Sequence, residues 1–452
     1  MIVAGGGNAG LCAAMAARDA GATVLLLERS PAWRRGGNSR HTRDIRYAHA
    51  EPDAWAQSAY SPAEFLADLV GVTDVLPSPL LADILIERSQ ELPVWMENHG
   101  VRWQLPMNGT LHLHTNRFFL GGGKAMINSY YETARASGID VRTDTSVAEL
   151  ELSGSRCTSV RFQTGHESEH AAAGAVVVAS GGLEANHDWL ASSWGEGAHN
   201  FIVRGTPDND GTLLLSLLDA GASAVGSSLF HCVAVDARAP RYDGGIITRV
   251  DSIPFGIVVN RRAERFYDEG EAAWPKRYAE WGRLIAGQTD QIAYSIFDRQ
   301  TPGLFIPPLY PPIQSNSIEG LAAELELDPT ALVQTVSTFN AAVDDSRPFD
   351  PSHPDGRAAQ GLTPARLNWA RKLDQPPFYA YPLRPGLTFT YAGVEIDATA
   401  RVQRADGTAF ENIFAAGEVM AGNILTRGYL AGVGLTIGSV FGRIAGEEAA
   451  RA

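Results

Sequence analysis

The chain has 452 residues, of which 45% are hydrophobic and 19% are charged, and its formal net charge at pH 7 is -14. This length predicts two or three domains with a large core, and the negative charge argues against a nucleic-acid-binding protein. The three cysteines stand far apart without a C-x-x-C pair, so neither a disulfide framework nor a cysteine metal site is indicated. No apolar run reaches the ~20 residues of a membrane span and no signal peptide is recognised, so we expect a cytoplasmic protein that is not integral to a membrane.

The N-terminal segment has the pattern of a dinucleotide-binding βαβ unit. Residues 2–4 predict a short strand, an Ala-rich stretch predicts a helix over 11–20, and a second apolar strand spans 23–27. A G-x-G-x-x-G turn joins the first strand to the helix, whose N-terminal N–H groups suit a pyrophosphate. We expect a tight turn at Gly5, close approach of the pyrophosphate at Gly7, helix–strand packing at Gly10 and a ribose contact at Glu28.

Two later segments repeat the combination of an apolar strand and a glycine turn. Residues 175–182 form the first and 412–418 the second, while the stretch 141–152 is predicted to flank the adenine. These strands are spread over the whole chain, so both of its ends are expected to return to one sheet. A discontinuous dinucleotide domain of this kind favours FAD over NAD alone.

The middle of the chain predicts an inserted domain. A strand is expected over 255–260, and an amphipathic helical pattern over 317–343 is broken by Asp328-Pro329. We therefore predict an α/β fold with a discontinuous Rossmann-like FAD-binding domain and an inserted α+β substrate-capping domain. The FAD-binding domain is expected to comprise residues 1–228 and 381–452, and the capping domain residues 229–380.

Motifs beyond the glycine turn extend along nearly the whole chain. They lie at residues 5–10, 36–39, 176–186, 205–211, 265–266 and 416–418. On these motifs the chain resembles the fumarate reductase/succinate dehydrogenase flavoprotein superfamily. A closer resemblance, to the tricarballylate dehydrogenases, rests on residues 37–43, 118–124, 264–277 and 428–432.

The resemblance implies a noncovalent FAD. A histidine that links to flavin in this superfamily would align with Ser39, two residues away from His41. The residues expected to contact FAD are Gly5, Gly7, Asn8, Ala9, Gly10, Glu28, Arg29, Gly37, Asn38, Ser39, Val147, Ser180, Gly181, Gly182, Asn186, Gly417, Glu418, Gly434 and Leu435.

The resemblance also implies oxidation of a CH–CH bond to C=C beside carboxylates, with a hydride passing to flavin N5 and a proton to a base. Arg277, reached through a gap in the match, is the expected proton-transfer residue. A buried polycarboxylate needs several cations or hydrogen-bond donors. The expected substrate contacts are His231, Arg427, Tyr429 and Tyr391.

Three other functions fit the same sequence. Tyr391 and Tyr429 resemble the tyrosines that polarise a ketone in 3-ketosteroid-type dehydrogenases. The same desaturation, or its reverse as an ene-reductase, serves natural-product tailoring. A flavin-binding redox sensor without turnover is the fourth interpretation, because fold alone does not assign function.

Electrons must leave to an external acceptor. The sequence has neither a haem-attachment C-x-x-C-H motif nor a ferredoxin-type run of cysteines. The resemblance implies a membrane-associated iron–sulfur protein as the partner that accepts them.

Overall fold

The structure is a computed structural model, and it describes residues 1–56, 58–105, 114–271 and 279–452. In these ranges the strands are β1 Ile2–Ala4, β2 Leu25–Leu27, β3 Asp44–Arg46, β4 Trp103–Gln104, β5 Asn116–Phe119, β6 Asp140–Arg142, β7 Thr145–Ser153, β8 Arg156–Thr164, β9 Glu167–Ala172, β10 Val176–Val178, β11 Ile202–Val203, β12 Ala224–Val225, β13 Phe230–Asp236, β14 Ile257–Asn260, β15 Ala293–Asp298, β16 Ile313–Ser315, β17 Phe378–Thr390, β18 Gly393–Val394, β19 Arg401–Gln403 and β20 Ala409–Ala415. The α-helices are α1 Asn8–Asp19, α2 Pro62–Thr73, α3 Pro79–Ser89, α4 Leu92–Asn98, α5 Gly122–Ala136, α6 His187–Trp194, α7 Thr212–Asp219, α8 Glu280–Ala286, α9 Ile318–Glu324, α10 Pro329–Ala342 and α11 Val433–Ala449.

The main sheet brings the two ends of the chain together. Its strand order is β19-β20-β10-β1-β2-β6, and all neighbours are parallel except β19 and β20. The central strands are fully apolar, as expected for a parallel sheet covered on both faces, and Val3 and Val177 are completely buried. The predicted α/β class is confirmed, since β1, β10 and β20 are the three glycine-ended strands recognised in the sequence.

Helices α1 and α11 pack against each other beside this sheet. Glycines on α11 allow the close approach: a Cβ at Gly442 would lie 2.5 Å from the Ala9 carbonyl oxygen, and one at Gly446 would overlap that of Ala13. The Asn8 amide donates to the Leu435 carbonyl at 3.1 Å and to Ser439 Oγ at 3.0 Å. The C-terminal helix therefore holds the start of α1, where the glycine turn ends.

A second sheet is built around the long strand β17. Its order is β11-β17-β15-β14, with β13 and β16 also paired to β17. Helices α9 and α10 pack on it, and Leu321 and Phe339 share a buried cluster with Ile296. The predicted break between these helices is confirmed, because Asp328 caps α10 by accepting from the Ala331 N–H at 3.0 Å.

Strand β17 spans the predicted boundary between the two domains. It begins at Phe378 and ends at Thr390, so it crosses the predicted domain boundary between residues 380 and 381. The division into a FAD-binding and a capping domain therefore stays a prediction. Within the described ranges, no helix is long and apolar enough to cross a membrane.

Candidate functional site

A deep cleft lies at the carboxyl ends of the parallel strands. It encloses about 1620 Å³ including its open mouth. The residues that follow β1, β2, β10 and β20 line it, because the carboxyl ends of parallel strands meet at one edge of a sheet. Residues 388–389 at the end of β17 and 429–438 before and within α11 complete its walls.

The glycines of the turn after β1 have two different structural roles. Gly5 has a φ of 109°, which favours glycine, and a Cβ at Gly10 would overlap the Gly5 carbonyl oxygen, so both positions are fixed by packing. A Cβ at Gly7 would meet nothing nearer than the Gly36 carbonyl oxygen at 3.6 Å and Ser39 Oγ at 3.7 Å. Gly7 thus has room for a Cβ in ordinary van der Waals contact and lines the cleft at the N-terminus of α1, an arrangement that fits a dinucleotide pyrophosphate.

Glu28 supports this turn from the end of β2. One carboxylate oxygen accepts from the Gly6 N–H at 2.8 Å and the other from the Ser30 N–H at 2.7 Å. The Tyr131 hydroxyl donates to the Gly6 carbonyl at 2.9 Å. Burial raises the pKa of Glu28. The side chain lines the cleft, and its predicted ribose contact stays a prediction.

The loop that contains Asn38 is hydrogen-bonded to three walls of the cleft. Ser39 Oγ accepts from the Asn8 N–H at 3.1 Å. Asn38 Oδ1 accepts from the Thr206 N–H at 2.9 Å, and Asn38 Nδ2 donates to the Thr388 carbonyl at 3.0 Å. This loop is therefore positioned by α1, by residues beyond β11 and by the end of β17.

Buried basic side chains line another part of the cleft. Arg204 is 6% exposed, Arg249 is 8% exposed and His231 is 4% exposed. Arg249 Nη2 lies 2.7 Å from a carboxylate oxygen of Asp251. His231 stacks on Tyr429, with ring centroids 4.0 Å apart and an interplanar angle of 7°.

The charge state of His231 follows from this setting. Burial, followed by the charges of Arg204 and Arg249, lowers its pKa well below the ordinary value. The imidazole is therefore neutral at pH 7, so it offers a ring N–H rather than a positive charge. The two arginines supply the positive charge of this region.

His41, which lines the same cleft, is hydrogen-bonded to Asp243. His41 Nε2 lies 2.8 Å from Asp243 Oδ1, and the Asp243 N–H donates to the Gly205 carbonyl at 2.7 Å. Burial alone would raise the pKa of Asp243, but the hydrogen bond and charge of His41 outweigh it and lower that pKa. The pair joins the Asn38 loop to the segment that leads to Arg249.

Most of the predicted residues line the cleft, but some do not. Those that line it are Gly5, Gly7, Asn8, Ala9, Glu28, Arg29, Gly37, Asn38, Ser39, Val147, Ser180, Gly181, His231, Gly417, Glu418, Tyr429, Gly434 and Leu435. Gly10 and Gly182 do not line it, because each is packed against neighbouring atoms. Asn186 instead caps α6 by accepting from the Trp189 N–H at 2.9 Å.

The structure places two predicted substrate contacts away from the cleft. The Arg427 guanidinium is 2.6 Å from Asp74 on the protein surface. Tyr391 is buried, and its hydroxyl donates to the Gly428 carbonyl. These placements give no support to substrate roles for Arg427 and Tyr391. Arg277 lies outside the described residues, so its predicted role in proton transfer stays a prediction.

Three cleft-associated residues were missed in the sequence. Arg204 immediately precedes the recognised motif at 205–211, and this position was the signal that could have identified it. Asp243 and Glu184 have no comparable signal, because their partners His41 and Asn38 lie 202 and 146 residues away.

Metal chemistry finds no support in the described part of the chain. In those residues no group of three or more His, Cys, Asp or Glu side chains is placed to hold a metal ion. The three cysteines are buried and free.

Comparisons with known proteins identify the cofactor. A family model described as an FAD binding domain matches residues 1–435. The chain is 26% identical over 472 residues to fumarate reductase (cytochrome) of Shewanella frigidimarina, covering 100% of this chain and 77% of that protein. It is 25% identical over 524 residues to NADH:acrylate oxidoreductase of Vibrio harveyi, covering 99% of this chain and 50% of that protein.

A solved structure shows the same fold. The open conformation of a flavocytochrome c3 fumarate reductase superposes with a TM-score of 0.77 at 24% identity, covering 100% of this chain and 78% of that one. The chain thus spans half of the acrylate oxidoreductase and about three-quarters of the fumarate reductases.

Proposed function

This chain belongs to the FAD binding domain family, within the fumarate reductase/succinate dehydrogenase flavoprotein superfamily, and from that premise we propose its reaction. As an FAD-dependent oxidoreductase it interconverts a CH–CH bond and a C=C bond beside a carboxylate in a small molecule. The proposed substrate is tricarballylate-like, and the proposed direction is desaturation. Bound FAD supplies the acceptor for the hydride.

The observation that carries this proposal is the buried pair Arg204 and Arg249 in the cofactor cleft. Both guanidinium groups line the cleft, Arg249 beside Asp251, and arginine matches a carboxylate with two parallel hydrogen bonds. His231, stacked on Tyr429, adds a neutral N–H donor. These side chains bind and orient an anionic substrate against the same cleft that holds the cofactor.

A proton must also leave the carbon next to the one that loses the hydride. We retain Arg277 as the proposed acceptor of this proton. Arg277→Ala should then keep FAD and substrate affinity but lose most of its kcat, and Arg277→Lys should recover little, because lysine differs in geometry and acidity. Near wild-type turnover in Arg277→Ala would contradict this role for Arg277.

The electron acceptor and location of the protein belong to the same proposal. The three cysteines are buried and free. We propose a separate iron–sulfur protein for this role and a cytoplasmic location for the enzyme.

The proposal is tested by turnover with an artificial electron acceptor. Tricarballylate, succinate, their amides and a 3-ketosteroid would be supplied, and products would be sought by mass spectrometry at two hydrogens fewer than the substrate. Desaturation of a carboxylate, but not of its amide, is expected. Desaturation of the steroid alone would favour the ketosteroid-type reaction, and no product from any substrate would favour a sensor without turnover.

A further inference from the structure

The imidazole of His41 has one ring nitrogen engaged by the protein and one left open. The side chain lines the cleft, and its Nε2 is hydrogen-bonded to Asp243 Oδ1 at 2.8 Å. No other residue in the described part of the chain is hydrogen-bonded to the ring. Nδ1 lies beside Gly245, where a Cβ would come within 3.1 Å of it, so the glycine leaves this nitrogen uncovered. Nδ1 is therefore available to a ligand in the cleft.

Asp243 determines which ring nitrogen carries the hydrogen. Burial opposes ionisation of Asp243, but the hydrogen bond and charge of His41 and the charge of Arg40 outweigh it and lower the pKa of Asp243. Asp243 is therefore ionised, and an ionised carboxylate accepts hydrogen bonds but donates none. Nε2 then carries the hydrogen, and in the neutral imidazole Nδ1 presents a lone pair. The open nitrogen is thus an acceptor, whereas the arginines of the same cleft can only donate.

The segment that carries Asp243 also places His41 beside the buried arginines. The Gly245 N–H donates to the Arg204 carbonyl at 2.8 Å. Farther along the same segment, Arg249 lines the cleft. The imidazole is therefore held next to the backbone of one cleft arginine by a segment that leads to the other. A ligand bound through these arginines meets Nδ1 in the same cleft.

We propose that His41 is a specificity-determining residue whose Nδ1 accepts a hydrogen bond from a hydroxyl group of the ligand, and that Asp243 is the positioning residue that keeps Nδ1 an acceptor. The ligand class is then a hydroxycarboxylate, bound by the arginines through its carboxylate and by Nδ1 through its hydroxyl. A methylene in place of the hydroxyl leaves the acceptor without a donor, and a ketone turns a second lone pair towards it. The inference rests on the carboxylate site of the proposed function and defines its ligand more narrowly.

Three ligands that differ at one carbon test the proposal. Glutarate has no hydroxyl, 2-hydroxyglutarate carries a hydroxyl donor, and 2-oxoglutarate carries an acceptor at the same carbon. Their dissociation constants would be measured by calorimetry with the FAD-loaded full chain at about pH 8.5, on the alkaline side of the ordinary titration range of histidine. The wild type should bind one enantiomer of 2-hydroxyglutarate about tenfold more tightly than either of the other ligands.

Two variants separate the acceptor from its positioning. His41→Phe keeps a ring but no acceptor, so the preference for the hydroxyl should fall below about twofold. In Asp243→Asn the amide can donate to Nε2, so the hydrogen of the neutral imidazole moves to Nδ1 and 2-oxoglutarate should gain affinity relative to glutarate. The control is His353→Phe, which removes a histidine whose side chain is 67% exposed and pairs with Asp350. This control should leave the preference unchanged.

Equal binding of the three ligands by the wild type would overturn the proposal, and so would a hydroxyl preference that persists in His41→Phe. If none of the three ligands binds, the carboxylate site of the proposed function is refuted, and this inference with it. Far-UV circular dichroism checks the folding of each variant. If His41→Phe does not fold, Asp243→Asn decides: a gain of 2-oxoglutarate over glutarate supports the proposal, and an unchanged order of affinities contradicts it.

Discussion

Gly7 and Gly10 provide a matched pair of substitutions in one turn. At Gly7, which lines the cleft, the backbone φ is -77°, which any residue adopts, and an added Cβ would meet no protein atom nearer than 3.6 Å. At Gly10 an added Cβ overlaps the Gly5 carbonyl oxygen and lies 3.3 Å from Val3 Cγ1. Gly7→Ala should therefore affect ligand binding, and Gly10→Ala should affect folding.

The magnitudes follow from these environments. Gly7→Ala should change the free energy of unfolding of the FAD-free protein by less than about 1 kcal/mol. Its methyl group should weaken FAD binding by about 2–3 kcal/mol, or roughly 100-fold. Gly10→Ala should lower the free energy of unfolding by about 3 kcal/mol or more, because backbone must move. Urea unfolding and FAD titration measure the two quantities. A Gly7→Ala protein that retains full FAD affinity would show that the pyrophosphate site has been misplaced.

Three further predictions concern substrate and cofactor. Arg204→Met should raise the dissociation constant of the carboxylate substrate about 100-fold, or about 2.7 kcal/mol. The control Arg262→Met, at a site whose side chain is 71% exposed, should leave that constant unchanged. Equal effects of the two variants in equilibrium titrations would refute the anion site. Because the pKa of His231 is lowered well below its ordinary value, the imidazole should bind substrate as a neutral N–H donor without taking up a proton near pH 7, which calorimetry in buffers of different ionisation enthalpy measures. Proton uptake that disappears in His231→Asn would contradict this. Acid precipitation should leave the flavin in the supernatant, and colour in the pellet would contradict noncovalent binding.

Local patterns explain why the nucleotide-binding half was predictable. Strand β1, helix α1 and strand β2 follow one another within a short segment, and each is encoded by its own apolar pattern and glycines. The predicted helix over 11–20 differs from α1, Asn8–Asp19, at its start. Helical bonding begins as soon as the glycine turn closes, with Leu11 N–H donating to the Gly7 carbonyl at 3.0 Å.

Side-chain direction explains what could not be predicted. Arg427 and Tyr429 are two residues apart, yet the first lies beside Asp74 and the second stacks on His231. Sequence spacing in a loop does not define which side chain enters a cleft. The hydrogen bond from the Asn38 amide to Glu184 likewise joins residues that lie 146 positions apart, and only the folded chain shows it.

The most direct test of the central claim is anaerobic mixing of the oxidised flavoprotein with saturated di- and tricarboxylates while flavin absorbance is followed. The account predicts bleaching by a carboxylate with an adjacent CH–CH bond, no bleaching by its amide, and strong suppression in Arg204→Met. Full bleaching by the amide, or unaltered bleaching in Arg204→Met, would contradict a carboxylate site built on the buried arginines.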